Sequence, residues 1–175
     1  MGKNAMFSFE MNQVNKTLQH IRLVQCYLSI VTGQLEKRAI EHDKSKFTKE
    51  EWEHFLIHTE NLAKLTYGSD EYKAGLKALE PALDHHYGNN RHHPEYFMRQ
   101  DKYILNVSSA LGCMNLIDLI EMVCDWIVAT QRHEDGDILK SIEINQKRFR
   151  YSDEMKDILV NTVNYITNME MLQDE

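Results

Sequence analysis

Proline and glycine are scarce in this chain of 175 residues, which has 2 prolines and 7 glycines. Because these residues form most of the sharp turns in proteins, we expect few turns and long helices. No segment alternates apolar and polar residues as a half-buried strand does, and the sequence has no repeat and no low-complexity linker. The sequence therefore predicts a single all-α domain over residues 1–175.

Cysteine pairs, net positive charge and long apolar runs are also lacking. Cys26, Cys113 and Cys124 have no CxxC spacing and lie among apolar residues, which predicts reduced thiols in the core. A formal net charge of -7 argues against binding to a nucleic acid duplex. No apolar run reaches membrane-spanning length and the N-terminus has no signal-peptide core, so we expect a cytoplasmic protein without a membrane partner.

Apolar residues recur at three- and four-residue steps through most of the chain, as they do in amphipathic helices. The predicted helices cover about residues 12–38, 48–65, 71–86, 114–131, 138–147 and 152–171. Gly33 and Pro81 are places where the first and third helices can break. Residues 87–95 form the one long irregular stretch of the sequence.

The helix predicted at 114–131 is apolar on almost all sides, which places it at the centre of the fold. It nevertheless carries Asp118, Glu121 and Asp125 on one side. A carboxylate is costly to bury without a positive partner. Asp118 is therefore expected to contact either a Lys or Arg side chain or a bound metal.

Histidine is the residue whose placement points to a chemical function. His42 and Asp43 come at the end of the first predicted helix, just before a helix start in which Thr48 and Glu51 can form a capping box. An adjacent imidazole and carboxylate can both reach a metal only where the backbone bends or a helix ends. The other candidate ligands are His20, His85, His86, His92 and His93. Imidazoles with carboxylates suit Mn, Fe, Co, Ni or Zn, and Mg less well.

Each of these residues has a simpler interpretation when it is considered alone. The histidines can be surface or turn residues, and Asp118 can be the partner of an arginine. His54 and His58 lie four apart on one helix face, but the glutamates around them favour a solvated surface. The combination, rather than any single residue, favours a metal centre.

In chain order, the candidates are His20, His42-Asp43, His85-His86, His92-His93 and Asp118. This order resembles the H…HD…(H…H)…D pattern of the HD-domain metal-dependent phosphohydrolase superfamily, which has a helical core. The segment from His42 to Lys46 looks like the HDxGK variant of the motif, with Ser45 where Gly is usual. The segment from Asp118 to Met122 looks like the DxxEM segment of HD-type 5′-deoxynucleotidases.

The resemblance covers His20 to about Ala129. The Gly-Tyr-Pro signature of the HD-GYP group is absent, and His92-His93-Pro94-Glu95 stands near its place. The chain is also similar to a small uncharacterised family of phages and bacteria in the segments HDKSKF, HHYGNNRHHPEY and NLIDLIEMVCDW.

The resemblance implies an HD-like fold with a metal-site core at about 14–130 and C-terminal helices at about 138–171. It also implies one or two divalent ions. The first would be held by His20, His42, Asp43 and Asp118. Asp43 would bridge to a second ion held by one histidine of each pair, either His85 or His86 and either His92 or His93.

The resemblance also implies roles for charged residues around the ions. Lys46 and Arg91 would neutralise phosphoryl oxygens. Glu121 and Asp125 would either accept hydrogen bonds from ligand imidazoles or serve only in packing and salt bridges.

The implied activity is a metal-dependent phosphohydrolase, in which metal-activated water attacks a nucleotide or another small phosphate ester. One alternative is an HD-fold di-iron oxygenase that cleaves a C–C or C–P bond with a similarly rich set of histidines. Another is a non-catalytic module that binds a metal or a ligand. The tyrosine and methionine content is compatible with a helical dimer face, so a homo-oligomer stays open.

Overall fold

The computed structural model describes residues 3–66, 69–98, 109–132 and 135–171. Within these ranges the chain forms eight α-helices and two short 3-10 helices and contains no strand, which confirms the all-α prediction. The α-helices are α1 (Lys3–Glu41), α2 (Lys49–Ala63), α3 (Asp70–Ala78), α4 (Glu80–Asn89), α5 (Pro94–Met98), α6 (Leu116–Gln131), α7 (Ile138–Phe149) and α8 (Asp153–Met171). The 3-10 helices are Lys44–Phe47 and Ala110–Cys113. No helix of the described ranges is long and apolar enough to span a membrane.

The chain divides into two compact units, Met1–Ile40 and Glu41–Glu175. The first unit consists of nearly all of α1, which continues through Gly33. The break considered there does not occur, because a glycine inside a helix costs only about 1 kcal/mol relative to alanine. A single domain over the whole length stays a prediction.

Pro81 marks the start of a helix rather than a kink. The helix predicted over residues 71–86 is divided into α3 and α4, and Pro81 is the second residue of α4. Proline is tolerated there because the first N–H groups of a helix have no acceptor within the helix. Pro94 begins α5 in the same way. The predicted irregular stretch therefore shrinks to the few residues between α4 and α5.

The core of the second unit is formed mainly by α6, α7 and α8. Met122 on α6 is completely buried, and Ile142 on α7 and Val163 on α8 are at most 2% exposed. The helix that the sequence places at the centre does enter the core, but on one face only. Leu116, the first residue of the helix, and Val128, on the side away from the core, are 75% and 48% exposed.

Two of the three cysteines do not lie in the core. Cys26 and Cys124 are exposed, and Cys113 is partly buried. The prediction of three core thiols is therefore wrong, because apolar sequence neighbours on a helix do not show which face a residue occupies.

Replacing Met122 with alanine tests the position of the core. We expect Met122→Ala to lower the free energy of unfolding by about 2–5 kcal/mol, because the cavity left behind collapses only in part. Leu116→Ala on the same helix is the control and should change it by less than about 0.5 kcal/mol. Urea unfolding followed by circular dichroism measures both values. Equal effects of the two changes would contradict the position of α6.

Candidate metal centre

The backbone turns sharply at the His-Asp pair. Helix α1 ends at Glu41, and Asp43 has φ 55° and ψ 15°, in the left-handed region, which aspartate tolerates better than most residues. The amide of Lys46 then donates to the carbonyl of Asp43 at 2.9 Å and begins the 3-10 turn. This confirms the predicted helix end and places the His42 and Asp43 side chains next to each other.

The carboxylate of Asp43 lies among three imidazoles. Its Oδ1 is 3.2 Å from Nε2 of His86 and 3.3 Å from Nε2 of His92. Its Oδ2 is 3.4 Å from Nε2 of His42 and 2.5 Å from Nζ of Lys46. His86 and His92 are 2% and 1% exposed. The end of α1, helix α4 and the α4–α5 connection thus bring three equivalent ring nitrogens to one carboxylate.

Two further carboxylates contact the opposite nitrogens of the same imidazoles. Glu121 on α6 places Oε1 3.1 Å from Nδ1 of His42 and 3.0 Å from Nδ1 of His92. Glu51 on α2 is fully buried and places Oε2 2.9 Å from Nδ1 of His86. In a neutral imidazole, a carboxylate at Nδ1 favours the tautomer with the proton on Nδ1, which leaves the lone pair on Nε2 for an ion. All three Nε2 atoms are therefore prepared as ligands.

Ser45, which stands where the motif usually has glycine, also contacts this network. Its hydroxyl donates to Oε2 of Glu51 at 3.2 Å and lies 3.0 Å from Nδ1 of His86. Asn90 donates to the same hydroxyl from Nδ2 at 2.7 Å. The hydroxyl thus links the 3-10 turn to α2 and α4, a contact that glycine could not make.

Among the described residues, potential metal-ligand atoms come together in three groups: His42, His92 and Glu121 form one, and the other two share Asp43. One of these two joins Asp43, His86, His92 and His93, and the other joins His42, Asp43 and Asp125, with ligand atoms within 4.8 Å of one another. Asp43 Oδ1, His92 Nε2 and His93 Nε2 are buried and have no hydrogen-bond partner among the described residues. Buried polar atoms without a partner are costly. The nitrogen and oxygen donor set therefore fits a divalent transition-metal ion.

The charges of the cluster are strongly coupled. Burial alone would raise the pKa of Asp43, but the imidazoles of His86 and His92 and the ammonium of Lys46 hold it well below its usual range. Burial alone would lower the pKa of His92, but the carboxylates of Asp43 and Glu121 raise it to about 9. Burial, with the charges of His92 and His86, lowers the pKa of His93 to about 2. In the metal-free protein a proton on His92 therefore balances buried negative charge.

Asp118 is not part of these groups. It is fully buried, and its oxygens Oδ1 and Oδ2 accept from Nε and Nη2 of Arg91 at 3.2 and 2.8 Å. It also forms a capping box with Asn115 at the start of α6. The ligand role predicted for Asp118 is therefore not supported among the described residues, whereas the phosphate contact predicted for Arg91, whose side chain is 40% exposed, stays a prediction.

Asp125, two turns further along α6, is the aspartate of this helix that belongs to a potential ligand group. Its Oδ1 is 3.8 Å from Nε2 of His42. Residues seven apart share a helix face, so the sequence could place both carboxylates on the same side without showing which one reaches the histidines.

The remaining predicted residues are placed as follows. The Nδ1 atom of His85 lies 2.7 Å from Oε1 of Glu51. His85 belongs to no ligand group in the described part of the chain, so of the pair His85 and His86 only His86 lies in the cluster. Both His92 and His93 belong to one group. His20 lies on α1, in the other unit, and its role as a ligand stays a prediction.

The sequence predicts that Glu51 forms a capping box with Thr48, but the structure gives Glu51 a different role. Its side chain does not complete a capping box with Thr48, because both oxygens contact histidines of α4. Its place in the first turn of α2 gives no sequence signal for this contact. Asp125 did carry a signal, since it shares a face with Asp118 and Glu121.

Comparison with known proteins shows that the chain belongs to a family of unknown function, DUF5662, whose model matches residues 10–171. No curated protein and no solved structure matches the chain.

Matched variants separate the two aspartates of α6. Asp118→Asn should lower the free energy of unfolding by about 1–3 kcal/mol, because the buried partner of Arg91 loses its charge. It should leave the amount of bound Co²⁺ unchanged. Asp125→Asn should reduce bound Co²⁺ with little effect on stability. Elemental analysis after dialysis measures the metal, and the opposite pattern would return Asp118 to the ligand set.

The raised pKa of His92 predicts how the stability of the metal-free protein depends on pH. Its pKa is about 9 in the folded protein against an ordinary value of 6.5, so its stabilising contribution is complete below pH 6.5 and is lost as pH rises to about 9. Chemical unfolding of the chelator-treated protein should show this loss, and His92→Gln should lack it. An identical alkaline decline in both proteins would show that His92 is not its source.

Proposed function

We propose that this member of DUF5662 is a metal-dependent phosphohydrolase that acts on a nucleotide or another small phosphate ester. The observation that carries the proposal is the position of Asp43 between two sets of ligand atoms. Oδ1 faces His86 and His92, while Oδ2 faces His42. A carboxylate with a separate ligand set at each oxygen is suited to bridge two ions. The resemblance to the HD-domain phosphohydrolases supports the same assignment.

The residues at the two oxygens define which side chains would hold each ion. His42, Asp43 and Asp125 would hold one. Asp43, His86, His92 and His93 would hold the other. A divalent ion supplies Lewis acidity, which makes hydroxide available near neutral pH and offsets negative charge on a phosphoryl group.

The other side chains of the site orient the ligands and balance charge. Glu51 and Glu121 hold the imidazoles by their Nδ1 atoms, so that rotation of the rings would break a hydrogen bond. Lys46 is 30% exposed and places its ammonium beside Asp43, within reach of a solvent-facing phosphate. Lys46 is thus one candidate phosphate-binding cation, and Arg91, which is 40% exposed and paired with Asp118, is the other.

Two alternatives remain to be distinguished by experiment. Four imidazoles near one carboxylate also suit iron, which is the observation that favours a di-iron oxygenase. A binding module without catalysis would keep the metal and lack turnover. An oxygenase would contain iron and release no phosphate, and a binding module would contain a metal and release no product.

A screen of the purified protein with Mn²⁺, Co²⁺, Ni²⁺ and Mg²⁺ tests the proposed activity. We expect phosphate release from at least one of nucleoside monophosphates, cyclic nucleotides or a generic phosphodiester paired with a phosphatase. His42→Ala and Asp43→Ala should reduce the rate at least about 100-fold, because each removes a direct ligand. His54→Ala, on the other histidine pair, is the control and should retain the rate.

Three results would contradict the proposed hydrolase. Two bound irons with a mixed-valent spectroscopic signal, and no phosphate release, would identify an oxygenase. Bound metal without iron and without turnover would identify a binding module. Full metal content in the His42→Ala and Asp43→Ala variants would show that these residues do not form a metal centre.

Glu51→Gln tests whether the buried carboxylate prepares the ligands. We expect the affinity for Co²⁺ to fall about 10- to 100-fold, as is typical when the hydrogen-bond partner of a ligand imidazole is lost. Glu50→Gln, the adjacent exposed residue, is the matched control and should bind Co²⁺ as the unmodified protein does. Competition with a chromogenic chelator measures the affinities. Unchanged binding in Glu51→Gln would show that Glu51 has only a structural role.

A further inference from the structure

Helix α1 carries a continuous apolar stripe along one face. Phe7, Val14, Ile21, Leu28 and Leu35 recur at intervals of seven residues through most of this 39-residue helix. A repeat of seven returns a side chain to the same face every two turns, which is the spacing that allows two long helices to pack along a common line. The stripe is therefore suited to contact with another helix.

Four further apolar residues occupy the intervals between these five. They are Met11, Leu18, Val24 and Val31. The nine residues together, which we call the α1 seam, follow at steps of four, three, four and three as far as Ile21 and of three, four, three and four after it. The order of the steps is the same from either end of the helix. The α1 seam is thus symmetric about Ile21.

The α1 seam is largely exposed. Eight of its nine residues are 42–64% exposed, and Leu35 is partly buried. Large apolar residues have a surface of roughly 150–200 Å² each, so the α1 seam presents about 700–800 Å². The largest apolar patch on a typical monomer covers only about 300–600 Å². The area of the α1 seam instead matches the roughly 800 Å² that each partner contributes to a stable protein interface.

The length of the α1 seam indicates which partner covers it. From Phe7 to Leu35 it extends over about 42 Å at 1.5 Å per residue. The next longest helix among the described residues is α8, whose 19 residues extend over only about 28 Å. Of the described helices, therefore, only another α1 matches the α1 seam over its whole length, and a second copy of the chain supplies it.

The symmetry of the α1 seam fits the same partner. Two copies related by a two-fold axis must present self-complementary surfaces to each other. With antiparallel helices and the axis at Ile21, this residue meets its own copy, and Phe7 and Val14 meet Leu35 and Leu28 of the second copy. The remaining seam residues also meet seam residues. Antiparallel alignment places the positive N-terminal end of each helix dipole beside the negative C-terminal end of the other.

The opposite face of α1 lacks such a stripe. Leu23 and Ile30 lie there and are 52% and 55% exposed. The positions seven residues before Leu23 and seven residues after Ile30 are Lys16 and Lys37, which interrupt the apolar repeat. This face therefore serves as a matched control surface for the α1 seam.

We propose that α1 is a dimerisation helix, which pairs with the α1 of a second copy of this chain in an antiparallel coiled coil through the α1 seam. The pairing rests on α1 alone and does not depend on the proposed phosphohydrolase activity.

Matched glutamates test the α1 seam in the full-length protein. Sedimentation equilibrium at about 10 µM should give twice the 20.6 kDa of one chain. Ile21→Glu should raise the dissociation constant at least about 100-fold, because the dimer would bury two like charges at its axis. Ile30→Glu, the same substitution on the opposite face, should leave the dimer intact. A monomeric unmodified protein would show that the α1 seam has another partner, and this result or equal weakening by both variants would overturn the proposal.

Disulfide formation tests the direction of the helices and stays decisive if Ile21→Glu does not fold. In a Cys26→Ser and Cys124→Ser background, Ile21→Cys should form a covalent dimer on mild oxidation, since a disulfide requires Cα atoms within about 7 Å. Phe7→Cys and Leu35→Cys should each stay unlinked alone and form a covalent dimer when the two proteins are mixed. No link in Ile21→Cys, or a link in Phe7→Cys alone, would overturn the antiparallel pairing.

Discussion

The burial of the Asp43 carboxylate is the constraint on which the second unit depends. A carboxylate taken out of water needs positive or hydrogen-bonding partners. Here they are the imidazoles of His86 and His92 and the ammonium of Lys46, which together hold the pKa of Asp43 low despite burial. These partners come from the 3-10 turn, α4 and the α4–α5 connection, so the carboxylate can be accommodated only when the three segments are packed together.

The same constraint explains the second set of carboxylates. Imidazoles that face Asp43 must direct their other nitrogen elsewhere, and Glu51 and Glu121 receive these nitrogens. The cluster thus alternates from carboxylate to imidazole to carboxylate. Each helix that contributes a residue is held by hydrogen bonds that also orient a potential ligand. Stability of the fold and the orientation of the potential metal ligands therefore rest on the same contacts, and a cavity lined in part by His93 lies beside them.

Several of the contacts at the site follow the sequence-based expectations, and the differences have definite physical causes. The turn at His42-Asp43 followed from the adjacent imidazole and carboxylate and from the helix start after it. The clusters containing His86 and His92 followed from their position in chain order. The resemblance to the DxxEM segment favoured Asp118 as the ligand, and the spacing could not correct this, because it shows that Asp118 and Asp125 share a helix face but not which of them lies level with His42. Glu51 was taken for a cap because nothing in α2 shows that two histidines of α4 lie opposite its first turn.

By itself, the sequence determined the helical class, the bend at Asp43 and the set of residue types available for a metal, because these depend on local spacing and composition. Only the tertiary structure decided which carboxylate reaches His42, which histidine of the first pair faces inward and what Arg91 binds. Those outcomes depend on how α2, α4 and α6 pack, which sets distances between residues far apart in the chain. The apolar periodicity of a helix shows which residues share a face of that helix, but it does not give the distance to a residue on another helix.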